Sequence, residues 1–98
     1  MITGIWDVEL KTPIGTLAAT YEFTGTADGF TGTATSRDET VALVDVVVDG
    51  QRVTWRQSVT RPLRLDLDFD VIVTGDELTG HSRAGRLPRT AVTGTRRA

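Results

Sequence analysis

The sequence contains no cysteine, which excludes a disulfide framework and any thiolate chemistry. His81 is its only histidine, so a histidine-based triad or a cluster of imidazole metal ligands has almost nothing to draw on. No stretch approaches the ~18 apolar residues of a membrane-crossing helix. The opening "MITGIWDVEL" has neither the basic segment nor the apolar run of a secretory signal. These absences lead us to expect a cytoplasmic protein with no membrane partner. No window carries a helical stripe, so there is no helix for a glycine-rich phosphate loop to open. Nothing in the sequence points to a cofactor.

Net charge is −2 over 98 residues, which argues against a general nucleic-acid binder. The arginines are unevenly placed. Arg83, Arg86, Arg89, Arg96 and Arg97 follow Glu77, with no acid after it. Codon bias and an anion-binding C-terminal patch are the two readings of that asymmetry.

What the sequence has in quantity is alternation. At 98 residues it is expected to form one domain, 1–98, with a modest core. Its hydrophobic period is two nearly everywhere. Leu65, Leu67, Phe69 and Val71 alternate with Asp66, Asp68 and Asp70, and Val53, Trp55, Gln57 and Val59 alternate with polar neighbours. Turn signals punctuate the runs: Thr12 to Gly15, Asp28-Gly29, "SRDE", Asp49-Gly50, Arg61-Pro62, Gly75-Asp76 and Leu87-Pro88. The spacing predicts about eight strands, near 3–11, 15–26, 30–36, 40–48, 51–60, 63–74, 77–84 and 89–96. A meander of this kind must close or leave edges exposed. The expected fold class is therefore all-β, an antiparallel up-and-down closed barrel with little or no helix. An eight-stranded barrel is filled by side chains or holds one small ligand.

"FTGTADGFTGTA", Phe23 to Ala34, repeats five residues around Asp28-Gly29. A two-residue loop there would pair Gly25 with Gly32 and Thr24 with Thr33. The threonines would face out, and Phe23, Gly25, Ala27, Phe30, Gly32 and Ala34 would face in. Opposed glycines would leave a gap in the inner wall, where a ring or a ligand could approach the backbone.

Gly4-Ile5-Trp6, the Asp-Gly hairpins, Leu78 to Gly80 and the closing Thr93 to Arg96 resemble the calycin barrels, which include lipocalins and streptavidin-like proteins. More closely, the chain resembles small bacterial calycin-like barrel proteins along nearly its whole length. The resemblance implies that Trp6 and Arg96 pack as a structural pair at the closed end of the barrel, a cation–π contact of roughly 0.5–2 kcal/mol. Beyond Trp55 there is no further pocket tryptophan, so biotin binding is unsupported.

Several residues carry candidate chemistry. Asp45 interrupts the apolar run "TVALVDVVVDG". By parity with Val41, Leu43 and Val47 it faces inward, where a carboxyl would have a raised pKa and could act as an acid or base. A bulge turning it outward, or pairing with an arginine, is the alternative. Tyr21 and Gln57 lie on apolar faces and could supply polar anchors or catalytic groups in a pocket. Trp55 reads equally as pocket wall or core plug. With Phe30, Phe69, Tyr21, Gly25 and Gly32 it makes up the expected ligand-binding set. Asp66, Asp68 and Asp70 form a comb that reads better as a solvated face than as a metal site.

The expected function is binding of a small apolar or aromatic metabolite inside the barrel. Cytoplasmic bacterial calycin-like barrels include cyclases, so the resemblance implies that cyclisation or isomerisation could follow from holding a reactive conformer. A non-catalytic carrier, a filled barrel acting as a homodimer, and an arginine-tail nucleic-acid binder are the alternatives.

Overall fold

The computed structural model describes residues 2–12, 15–37, 39–59 and 65–97. These form nine strands: β1 (Gly4–Thr12), β2 (Gly15–Thr26), β3 (Gly29–Thr35), β4 (Thr40–Ala42), β5 (Val44–Asp49), β6 (Arg52–Val59), β7 (Leu65–Thr74), β8 (Glu77–Arg83) and β9 (Thr90–Arg96). All ladders are antiparallel, and the sheet order is β4-β3-β2-β1-β9-β8-β7-β6-β5. The two ends of that order, β4 and β5, are consecutive in the chain. The sheet therefore curls into a nearly closed antiparallel barrel. Among the described residues no helix is long and apolar enough to cross a membrane.

The strand expected at 40–48 accounts for the ninth element. It breaks at Leu43, pairing with β3 before the break and with β6 after it. Leu43 itself is buried, and its amide donates to the Gly32 carbonyl at 2.9 Å. The turns expected at Thr12 to Gly15, at "SRDE" and at Arg61-Pro62 fall wholly or partly outside the described residues.

Two hairpins differ from expectation by one loop residue. The β2–β3 loop is Ala27-Asp28, since Thr26 pairs with Gly29 and Gly25 with Phe30. Gly32 then lies opposite Phe23, and the Gly25–Gly32 pairing does not occur. The β5–β6 loop is Gly50-Gln51, because Asp49 pairs with Arg52. Only its first residue has positive φ, 61° at Gly50. This is the pattern of a type II′ turn, which takes glycine at that position.

The core lies inside the barrel. Trp6, Val8, Tyr21, Phe23, Val53, Trp55, Phe69, Val71, Leu78 and Val92 are all nearly inaccessible. Gln57 and Ser82 are the only buried polar side chains among the described residues. On the outer face, the aspartate comb is taken up by partners on β6. Asp66 accepts from Ser58 at 2.6 Å, Asp68 pairs with Arg56 at 3.1 Å, and Asp70 takes both oxygens' worth of Arg52 at 2.6 and 3.0 Å.

One end of the barrel is plugged. Trp6 is fully buried and its indole nitrogen donates to the Ile2 carbonyl at 2.7 Å. Arg96, directly opposite it on β9, lays its guanidinium 4.5 Å above the ring. The same guanidinium donates to the carbonyls of Thr3 and Gly75 and to the Asp76 carboxylate. The N-terminal segment, the β7–β8 hairpin and β9 are thus tied together over the Trp6 face.

Candidate functional site

Burial of the inward-facing side chains falls away from the plugged end. Along β2, Phe23 and Tyr21 are buried, Ala19 is half-buried, and Leu17 is 56 % exposed. Along β7, Val73, Val71 and Phe69 are buried, whereas Leu67 and Leu65 are half-buried. Val41 on β4 is also half-buried and packs against the core. The exposed ends of these rows lie where β1 joins β2, β3 joins β4, and β6 joins β7. Among the described residues, the inward apolar side chains most reached by solvent lie at this second end, the accessible end.

Four aromatic rings, Trp55, Phe69, Phe23 and Tyr21, fill the middle of the barrel. Trp55 stacks on Phe69 with centroids 4.8 Å apart and an interplanar angle of 8°. Phe23 meets Trp55 edge-on at 5.2 Å, and Tyr21 touches Phe23, Trp55 and Phe69 at 5.6 to 6.2 Å. Phe30 lies nearer the plugged end, opposite Gly25, and is half-buried against the core.

Gln57 organises the polar groups of this cluster. Its Oε1 accepts the Tyr21 hydroxyl at 2.7 Å and the Trp55 indole N–H at 3.1 Å. An indole nitrogen can only donate, so the amide atom facing it must be the oxygen. Burial pushes the Tyr21 phenol well above its ordinary pKa, and the hydrogen bond to Gln57 offsets this only in part. Tyr21 therefore stays protonated across the physiological range and acts as a donor rather than a base.

Of the expected site residues, Tyr21, Gln57, Trp55 and Phe69 come together here. Gly25 and Phe30 pair near the plugged end, where a Cβ on Gly25 would lie 3.9 Å from Thr3. The wall at Gly32 holds no vacant gap, because a Cβ there would meet Leu43 and the Glu22 carbonyl at 2.9 Å and the Phe23 ring at 3.1 Å.

Asp45 is not in the interior. It is exposed, with φ 53°, inside a bulge between Val44 and Val47. The extra residue reverses the parity of the rest of β5. Val46 and Val48 turn toward the core, and Val47 is 55 % exposed. Aspartate tolerates the left-handed conformation better than most residues, and the bulge keeps its carboxylate in water, avoiding the cost of burying it.

Leu17 and Leu67 lie toward the accessible end, and buried Ser82 faces inward opposite Phe69. Ser82 stands outside the candidate residues that the sequence offers. Its signal was parity, since it shares its face with Leu78 and Gly80.

The outer face carries a groove of about 460 Å³ across β5 to β8, lined by residues including Asp45, Arg56, Asp68, Asp70, His81, Arg83 and Arg89. His81 faces outward there, as its alternation implies, opposite Asp70. Charges of both signs already pair across this surface, Arg56 with Asp68 and Arg52 with Asp70. No protein-family model matches the chain, and no curated protein matches it in sequence.

Proposed function

We propose that the barrel binds a small hydrophobic metabolite through the end opposite the Trp6–Arg96 plug. The observation carrying this is the graded exposure of inward apolar side chains at that end, with Leu17 56 % exposed above a buried aromatic floor. Desolvating such groups is worth roughly 25 cal/mol per Å², which gives an apolar ligand a driving force that bulk water does not offer. Where turnover accompanies binding, the chemistry suited to this site is cyclisation or isomerisation of a held conformer, since the floor supplies fixed donors and walls rather than a base. The carrier reading shares the same pocket and differs only in turnover.

The test is titration with 1-aminoanthracene, a neutral fluorescent aromatic, read by its own emission and by quenching of tryptophan. Saturable binding is expected. Leu17→Asp should weaken it about tenfold, a shift of ~1.4 kcal/mol, while Ile72→Asp on the outer face should leave it unchanged. No saturable signal, or equal binding by the Leu17 variant, would refute the proposal.

A further inference from the structure

We infer that the accessible end selects an apolar ligand carrying a neutral hydrogen-bond acceptor, a ketone, quinone or lactone carbonyl, at its buried tip. The inference rests on the binding reading above and names its ligand class.

Gln57 sets the selection. Two donors, Tyr21 Oη and Trp55 Nε1, occupy its Oε1. The amide cannot flip without presenting its NH2 group to an N–H that has no acceptor capacity. Its Nε2 therefore always donates. Nε2 has no hydrogen-bond partner among the described residues, yet none of their buried side-chain nitrogens or oxygens is left unpaired. Nε2 therefore touches solvent. From an inward-facing position next to half-buried Leu67 on β7, that contact comes through the accessible end.

Ser82 repeats the pattern. Its side chain faces inward opposite Phe69 on β7 and Thr90 on β9, and its hydroxyl likewise has no partner among the described residues. The hydroxyl can add a second donor. No charged side chain among the described residues is buried, so an ionised ligand group would lose its water without gaining a counter-charge. An ammonium or other donor would meet the Gln57 N–H groups head-on. A neutral carbonyl is the group this arrangement satisfies, and an apolar tip would leave the Gln57 donors desolvated and unpaired.

The experiment compares three ligands of one shape on the wild-type protein. These are 2-acetylnaphthalene, 2-isopropenylnaphthalene, in which C=CH2 replaces C=O, and 2-naphthoate. Tryptophan quenching gives the affinities, and the carbonyl stretch of the bound ketone gives the hydrogen bond. The ketone should bind about fivefold or more tighter than the alkene, the worth of one made rather than broken hydrogen bond. Its carbonyl stretch should move to lower wavenumber, and the naphthoate should bind least. Gln57→Glu, which still accepts from Tyr21 and Trp55 but has lost the amide donor, should remove the ketone's advantage and the infrared shift. Equal affinity for ketone and alkene, an unshifted carbonyl, or naphthoate binding as well as the ketone would overturn this inference and leave the binding reading standing. Failure of all three to bind would overturn the binding reading itself.

Discussion

Replacing Gly80 by alanine should damage the barrel, whereas the same change at Gly25 should not. A Cβ on Gly80 would lie 2.6 Å from the Val71 Cα and 2.9 Å from the Asp70 carbonyl carbon, and closer still to the Asp70 oxygen. All three are backbone atoms of β7, paired to β8 at this level. No rotamer can relieve the clash, so the two strands must part. Overpacking costs about 1–3 kcal/mol when side chains can yield, and here the upper figure applies. At about 4–8 °C per kcal/mol for a domain of this size, a loss of about 3 kcal/mol lowers Tm by roughly 12–24 °C. At Gly25 the nearest atoms would be 3.9 and 4.0 Å away, an ordinary contact. Relief of glycine's conformational entropy there should stabilise by about 0.5–1 kcal/mol. Thermal unfolding followed by far-UV circular dichroism decides the matter. A Gly80→Ala protein melting within 3 °C of wild type, a margin of about half a kcal/mol, would refute the close-approach argument. So would a Gly25→Ala protein that falls as far as the Gly80 variant.

The single tyrosine makes its titration clean. Because burial raises the folded Tyr21 pKa above the unfolded value of about 10, stability should fall as pH rises past 10. Absorbance at 295 nm should then change with unfolding rather than before it, and a folded-state midpoint near 10 would contradict the burial of the ring. The hydrogen bonds from Arg52 hold the Asp70 carboxyl below the usual range. Its stabilising contribution is therefore full above about pH 4 and is lost as pH falls through the folded value. The urea midpoint of Asp70→Asn should accordingly change less between pH 5 and pH 2 than that of wild type. Asp45→Val places a β-branched residue at φ 53° and should cost about 1–3 kcal/mol in urea unfolding, whereas Asp45→Gly should be neutral or stabilising.

The strands were legible in the sequence because each inner face is apolar and each outer face polar. The hairpin registers were not, for a specific reason. Moving the β2–β3 loop from Asp28-Gly29 to Ala27-Asp28 slides one strand past the other by two residues. A two-residue slide keeps every side chain on its own face, so Phe23, Gly25, Phe30 and Gly32 read the same either way while their partners change. The Asp45 bulge was hidden differently. An added residue reverses parity only beyond itself, and the run Val46-Val47-Val48 is apolar in every frame. The Tyr21–Gln57–Trp55 cluster was half visible, since the face of each residue could be read but not the convergence of β2 and β6 across the barrel.

The sheet order has a consequence for assembly in time. β1 to β4 form one run of neighbours joined in chain order, and β5 to β9 another. The ladder uniting the two runs is β1 with β9, and its margin joins Asp7 to Arg97 across 90 residues of chain. At a synthesis rate of about 5–20 residues per second, β1 waits roughly 4–17 s for its second neighbour. Throughout that interval the strand carrying Trp6 presents an unpaired edge, the feature through which β-proteins associate wrongly. That exposure ends when β9 pairs with β1.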